Sequence, residues 1–270
     1  MLYVISTPIG NLQDITLRAI EMLKTLKIFF VEDTREFKKL LQLLQISYED
    51  KVIHSYASHN LKEATEKALQ LLADNQSIGL ATDRGTPGVS DPGALLVQKA
   101  LEALYKVVPI PGVSAVTTLF SVAGLTQSQF LFLGFLPEKN KERMELFNKV
   151  SLLQAPICFY ESPERITDTL NEFFNLFPTC EVFIGREMTK QYEEYFWINK
   201  SSFEKNALTK KGEFTVLVKN IPLLKQISEI DSEIALKLAS EKDWSKVVGD
   251  RLGIPSKDAY NKLQETKRNS

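Results

Sequence analysis

The feature that most constrains this chain is the alternation, through its first half, of short apolar runs with longer stretches of helical spacing. Leu2–Ser6, Ile28–Val31, Val52–His54, Ser77–Ala81 and Lys106–Ile110 read as strands. Between them Leu17, Ile20, Leu23 and Leu26 recur at helical spacing. So do Leu40, Leu41, Leu43 and Leu44, then Ala64, Ala68, Leu71 and Leu72, then the segment Ala94–Leu104. Strands separated by helices cannot close as tight hairpins. They require crossovers, and the crossovers place helices on both faces of a mostly parallel sheet.

A second series begins after that sheet. Phe130–Gly134, Ile157–Tyr160, Glu181–Ile184, Tyr195–Ile198 and Phe214–Lys219 read as strands, with a helix predicted from Pro163 to Phe177 and a polar stretch from Pro137 to Arg143. The later strands lie close together, which predicts a mixed sheet. The spacing sets a boundary near Leu119–Gln129, dividing an N-terminal α/β domain, residues 1–120, from a second α/β domain, residues 121–221. Beyond Ile221 the strand signal stops. Ile234, Leu238, Val247, Val248 and Leu252 predict a small helical region over 222–270, with Gly253-Ile254-Pro255-Ser256 turning into a further helix start.

With 270 residues, 44% of them hydrophobic, the chain can bury a core without covalent staples. Its two cysteines exclude a disulfide framework and fit a reducing compartment, and Cys158, inside an apolar strand, reads as packing. Two histidines, His54 and His59, exclude most His-rich metal chemistry, and no metal is expected. Lys and Arg number 33 against 34 Asp and Glu, so a nucleic-acid partner would have to be held by local patches rather than by net charge. No apolar run approaches the roughly 18 residues of a membrane helix, and Met1–Ser6 reads as a first strand rather than a leader. A soluble, cytoplasmic protein is expected.

In parallel α/β sheets ligands bind outside the carboxyl ends of the strands. The loops that leave those ends are Ser6–Leu12, Glu32–Arg35, Thr82–Gly93 and Pro109–Ala115, and their Gly and Pro content points to a small-molecule cleft. No Gly-x-x-x-x-Gly-Lys-Ser/Thr and no Gly-x-Gly-x-x-Gly occurs there. The ligand is therefore one that needs close backbone approach without a diphosphate.

The same loops carry a resemblance. Thr7-Pro8-Ile9-Gly10-Asn11-Leu12, Glu32-Asp33-Thr34-Arg35, Gly85-Thr86-Pro87-Gly88-Val89-Ser90-Asp91-Pro92-Gly93 and Pro111-Gly112-Val113-Ser114-Ala115 are followed in order by Gly134-Phe135-Leu136-Pro137, Glu161-Ser162-Pro163-Glu164-Arg165-Ile166, Arg186-Glu187-Met188-Thr189-Lys190 and Lys211-Gly212-Glu213-Phe214-Thr215. Over residues 1 to about 220 the set resembles the ribosomal RNA small subunit methyltransferase I family, of the tetrapyrrole-methylase-like class. The resemblance implies two α/β domains with S-adenosyl-L-methionine in the cleft between them. It also implies methylation of the ribose 2′-hydroxyl of a cytidine in 16S ribosomal RNA, naked or within the small ribosomal subunit, by a homodimer.

On that resemblance, Pro8, Gly10, Gly85, Thr86 and Gly112 are expected to approach the cofactor, with Asp83 as an acceptor. Ser114 and Ala115 open a helix whose N–H groups would take the methionine carboxylate. Tyr160, Glu161, Gly212 and Phe214 would close over the adenosine, although Tyr160 and Phe214 read equally as core. A ribose hydroxyl needs a general base, for which Asp33, Lys190 and Glu32 are candidates. Glu32 and Asp33 read equally as a helix cap or as partners of Arg35. Arg35, Arg84, Lys139, Arg143 and Arg165 are expected to meet RNA, with Lys38, Lys39, Lys210, Lys211 and the tail residues Lys246, Arg251, Lys257, Lys262, Lys267 and Arg268 as further candidates.

Two departures stand out. The family more often carries Ser-Asp-Ala where this chain has Thr82-Asp83-Arg84, and Arg84 is expected to point out of the cleft. Of two family histidines only His59 survives, in Tyr56-Ala57-Ser58-His59-Asn60. Two other readings stay open: the same cofactor with a tetrapyrrole carbon or protein side chain as acceptor, and a non-catalytic RNA-binding protein in which Arg84 blocks the cofactor.

Overall fold

The computed structural model describes residues 1–127, 129–151, 153, 155–205, 208–219, 255–258 and 260–261. Residues Met1–Pro222 form one compact unit. Its first half runs β1 (Leu2–Ile5), α1 (Leu17–Thr25), β2 (Ile28–Val31), α2 (Thr34–Leu43), β3 (Val52–Ser55), α3 (Leu61–Ala73), β4 (Ile78–Ala81), α4 (Gly93–Glu102), β5 (Val107–Ile110) and α5 (Ala115–Val122). The five strands are all parallel, in the order β3-β2-β4-β1-β5. Successive strand residues bury on opposite faces. Phe29 joins Ile5, Val31 and Leu23 on one side, and Phe30 joins Leu2, Leu80 and Ala68 on the other. This two-sided burial is why the strands read as unbroken apolar runs.

The order also positions the ligand crevice. β1 and β4 are neighbours, yet α1 carries the chain from β1 to β2 while α4 carries it the other way, from β4 to β5. Loops that diverge from adjacent strands leave a gap between them, the switch point at which open α/β sheets bind ligands.

The second sheet holds β6 (Leu131–Phe135), β7 (Ile157–Glu161), β8 (Val182–Arg186), β9 (Glu194–Ile198) and β10 (Phe214–Val218), in the order β6-β7-β10-β8-β9. Only β6 and β7 are parallel; the remaining pairs are antiparallel, so the sheet is mixed as expected. α6 (Asn140–Ser151), α7 (Ile166–Leu176) and the short α8 (Lys200–Lys205) complete it. α5 precedes this sheet in sequence but packs on it. Val116, Leu119 and Ala123, together with Ile9 from the β1 loop, lie against Cys158, Phe183, Met188 and Leu217.

One sequence reading needs correction. The polar stretch Pro137–Arg143 runs into α6, whose buried face consists of Arg143, Phe147, Val150 and Ser151. A helix that uses an arginine as a core residue shows little apolar periodicity. The Arg143 side chain is 6% exposed. Its guanidinium meets both Glu172 carboxylate oxygens at 2.7 Å and donates to the Pro137 and Glu138 carbonyls at 2.8 and 3.0 Å. Arg143 is therefore not available to RNA.

In the second unit, Leu223–Ser270, residues 256–258 and 260–261 are helical after Pro255. The helices expected around Ile234, Leu238, Val247, Val248 and Leu252 lie outside the described residues. Among the described residues no helix is long and apolar enough to cross a membrane.

Arg143 holds the Glu172 carboxyl below its ordinary range. A depressed carboxylate contributes stability above its unfolded pKa and loses it as pH falls through the folded value. Arg143→Met should cost about 3 kcal/mol at neutral pH by leaving Glu172 unpaired. Urea titrations at neutral and acidic pH should show the gap to wild type narrowing once Glu172 is protonated.

Candidate functional site

The loops leaving β1, β4 and β5 are stitched side by side. Thr7 and Gly85 exchange backbone hydrogen bonds of 2.9 and 3.1 Å. The Thr86 hydroxyl donates to the Val113 carbonyl at 3.0 Å and lies 3.0 Å from Ser6 Oγ. Beside these loops opens a cleft of about 570 Å³. One wall comes from the first sheet and its helices: Ile9, Glu32, Glu36, Thr82–Thr86, Val89–Asp91, Ser114 and Ala115. The other comes from the ends of the second sheet: Phe135, Tyr160–Pro163 and Glu213–Thr215.

Carboxylates dominate the first wall. Burial, then the charge of Asp83, pushes the Glu32 carboxyl up from its ordinary range. Burial also raises Asp83, although Asp83 Oδ1 accepts the Asp33 N–H at 3.0 Å. Asp91 accepts the N–H groups of Gly88 and Gly93, each at 2.7 Å, and so fixes the turn that starts α4. Within that turn Ser90 holds φ at +70°, a conformation that non-glycine residues rarely adopt and that is retained where surrounding contacts enforce it.

The second wall supplies rings and one internal ion pair. Tyr160 packs beside Val113 and Ala115 at the start of α5, and burial pushes its phenol up to about 12. Glu161 is buried and takes three donors: Ser162 N–H at 2.9 Å, Thr169 Oγ1 at 2.7 Å and Arg165 Nη2 at 3.1 Å. It organises the turn from β7 into α7.

The expected site residues divide. Asp83, Gly85, Thr86, Ser114, Ala115, Tyr160, Glu161, Phe214, Glu32 and Arg84 line the cleft; Pro8, Gly10, Asp33, Gly112, Lys190 and Gly212 do not. Asp33 is the N-cap of α2, accepts the Arg35 N–H at 2.7 Å and pairs with the Arg35 guanidinium at 2.6 Å, which holds its carboxyl well below the usual range. Lys190 donates to Glu187 and Glu213 at 2.7 and 2.9 Å. Its stem lies over Gly10, where an added Cβ would meet Lys190 Cγ at 2.5 Å. Gly112 approaches not a ligand but Ser6, whose Cβ would be 2.6 Å from an added one. Several motif glycines thus serve the contact of loop with loop.

Of the expected RNA contacts, Arg35 and Lys139 are exposed, paired with Asp33 and Glu142. Arg165 turns inward to the carbonyls of Leu136 and Pro137 and to Glu161, a structural role like that of Arg143. Arg84 does not point freely outward: it pairs with Glu213 on the opposite wall. Lys38, Lys39, Lys210, Lys211 and Lys257 are exposed, whereas Lys246, Arg251, Lys262, Lys267 and Arg268 lie outside the described residues. His59 is exposed and does not line the cleft. Glu36, Ser90, Asp91, Phe135 and Glu213 were not foreseen as site residues. Four of them stand inside the quoted motifs, where their neighbours drew the attention.

Two stitched five-stranded sheets around such a cleft define a class, and the chain belongs to the tetrapyrrole (corrin/porphyrin) methylase family, whose profile matches residues 1–203. It is a methyltransferase. Within that class it is 35% identical to the ribosomal RNA small subunit methyltransferase I of Halalkalibacterium halodurans, over 96% of this chain and 93% of that protein. It is 41% identical to the protein of the same name from Borrelia garinii subsp. bavariensis, over 81% and 98%. The fold is also that of the methyltransferase CobJ, with a TM-score of 0.61 at 15% identity over 81% of this chain and 93% of that one. It is shared too by a uroporphyrin-III C-methyltransferase from Thermus thermophilus crystallised with S-adenyl homocysteine, with a TM-score of 0.56 at 16% identity over 80% and 96%.

Gly112→Val should act through Ser6. Branched carbons forced against the end of β1 should cost about 1–3 kcal/mol of stability, seen as a lower urea midpoint, before any effect on ligand affinity is read.

Proposed function

We propose that this methyltransferase uses S-adenosyl-L-methionine to methylate 16S ribosomal RNA, at the ribose 2′-hydroxyl of a cytidine, on naked RNA or on the small ribosomal subunit. The observation that carries the reading is the carboxylate-lined cleft at the β1/β4 switch point, in a chain that matches small-subunit rRNA methyltransferases over nearly its whole length. The residues fit the cofactor. The cleft has the volume of a small-molecule site, its carboxylates suit a cationic ligand, and Val89, Ala115, Phe135 and Tyr160 offer apolar surface for a purine.

When bound, the cofactor supplies an electrophilic methyl group on a sulfonium. Asp83 keeps one oxygen for a cofactor amino or hydroxyl group while the other accepts the Asp33 N–H. Gly85 and Thr86 are held in place for backbone contact by their bonds to Thr7 and Val113. Tyr160 and Phe135 present rings from the far wall, 5.4 Å apart, and Glu161 acts behind them as a positioning residue. In-line holding of the two reactants accounts for most of the work in such a transfer.

Glu32 is the best-placed general base of the three candidates. It lines the cleft, and its raised carboxyl is a stronger proton acceptor than an ordinary glutamate. Asp33 is committed to Arg35 and the α2 cap, and Lys190, which does not line the cleft, is committed to Glu187 and Glu213. RNA would approach over Arg35, Lys38 and Lys39 at the start of α2, with Arg84 at the rim. Residues 1–120 and 121–221 would act as two domains of a cytoplasmic homodimer, a reading supported by the family resemblance.

Mapping of 2′-O-methylation in rRNA from a deletion strain should show one cytidine site lost, and regained on complementation. A map with no lost site would sink the substrate assignment. In transfer assays Glu32→Gln should lower kcat about 10²–10⁴-fold. A base works deprotonated, so the wild-type rate should rise with pH through the raised Glu32 pKa and level off above it. Glu32→Gln should lose that limb.

A further inference from the structure

Among the described residues that line the cleft, Arg84 is the one cation, facing Glu32, Glu36, Asp83, Asp91 and Glu213. A polyanion that brings its ribose to this cleft therefore meets several carboxylates in the lining and a single side-chain cation. In this structure the guanidinium is already taken by Glu213. We propose that Arg84 is an anion receptor at the cleft mouth that Glu213 occupies in the free enzyme, and that an RNA phosphate exchanges with Glu213 when substrate binds. This rests on the rRNA reading above.

The geometry makes Glu213 an anchored occupant. Its backbone is tied to Glu187 twice, by Glu187 N–H to the Glu213 carbonyl at 3.0 Å and by Glu213 N–H to Glu187 Oε1 at 2.9 Å. Lys190 donates to its Oε2 at 2.9 Å, so the carboxylate keeps a cationic partner after Arg84 leaves. Arg186 fixes the preceding turn through the Lys211 carbonyl at 3.0 Å. Arg84, by contrast, stands on the long loop after β4. Both side chains of the pair are half-exposed, so solvent screens it and it is weak enough to exchange. An outgoing Glu213 loses one partner of two, and an incoming phosphate gains the cation the lining otherwise lacks. The exchange also frees the connection that the pair makes across the cleft.

The test is a double-mutant cycle on the full chain, read as binding of a short single-stranded RNA over a salt series. Arg84→Ala should weaken binding and make the salt slope shallower by about 0.7, the share of one phosphate contact on a single strand. Glu213→Gln should tighten binding about two- to five-fold, the worth of a screened surface pair. The double variant should gain much less over Arg84→Ala than Glu213→Gln gains over wild type, because the part of the Glu213 effect that runs through Arg84 is then gone. If Glu213→Gln tightens binding equally in the Arg84→Ala background, the effect is general charge repulsion and the proposal falls. It falls too if Arg84→Ala leaves affinity and slope unchanged. Circular dichroism and urea midpoints confirm that each variant is folded. Methyl transfer to unmodified small subunits, assayed separately, judges the substrate reading. Wild-type enzyme that binds RNA with the predicted cycle but methylates no subunit would leave the receptor standing and remove the substrate.

Discussion

The cleft exists because an apolar seam holds the two sheets at one edge. Ile9, Val116, Leu119 and Ala123 press against Cys158, Phe183, Met188 and Leu217, and each large side chain fully buried there contributes roughly 1.5–3 kcal/mol. Around that seam polar contacts also join the two walls, among them Asn11 N–H on Thr189 Oγ1 at 3.0 Å and Arg84 on Glu213. Non-directional burial fixes the relation of the sheets, and the directional contacts at its margin shape the opening. Cys158 belongs to the seam, and burial pushes its thiol up to about 12, which makes it inert packing rather than chemistry.

Charge follows a division of labour that net charge hides. Near neutrality overall, the chain turns carboxylates toward the cleft and spends two of its arginines, Arg143 and Arg165, inside the second half. A guanidinium can satisfy several carbonyls at once from a fixed fork, which suits it to close a loop such as the one after β6. Sequence alone gives no means of telling such an arginine from a surface one, since both sit amid polar neighbours.

Much of the fold was legible because parallel strands buried on both faces leave unbroken apolar runs, as Ile28–Val31 and Ile78–Ala81 do. α6 escaped because Arg143 occupies a core position, and α8 because its six residues give too few turns to show a period. The loops that build the cleft were legible from Gly and Pro and from the family resemblance. Which member of each loop faces the ligand was not. That choice depends on side-chain direction: Glu32 turns into the cleft while its neighbour Asp33 turns back to cap α2. Glu213 was hidden for a related reason, since its importance lies in a partner more than a hundred residues away.

Gly10, Gly112 and Gly212 sit in the most recognisable segments of the chain, yet an added Cβ at each would strike Lys190, Ser6 or Glu187 rather than open cleft. Such glycines report that two surfaces must touch, not that a reaction must occur. A descendant of this chain could lose Glu32 and still assemble the cleft, bind a ligand there and carry every glycine signature intact. In this chain those three glycines are therefore a statement about assembly, separate from the role proposed for Glu32.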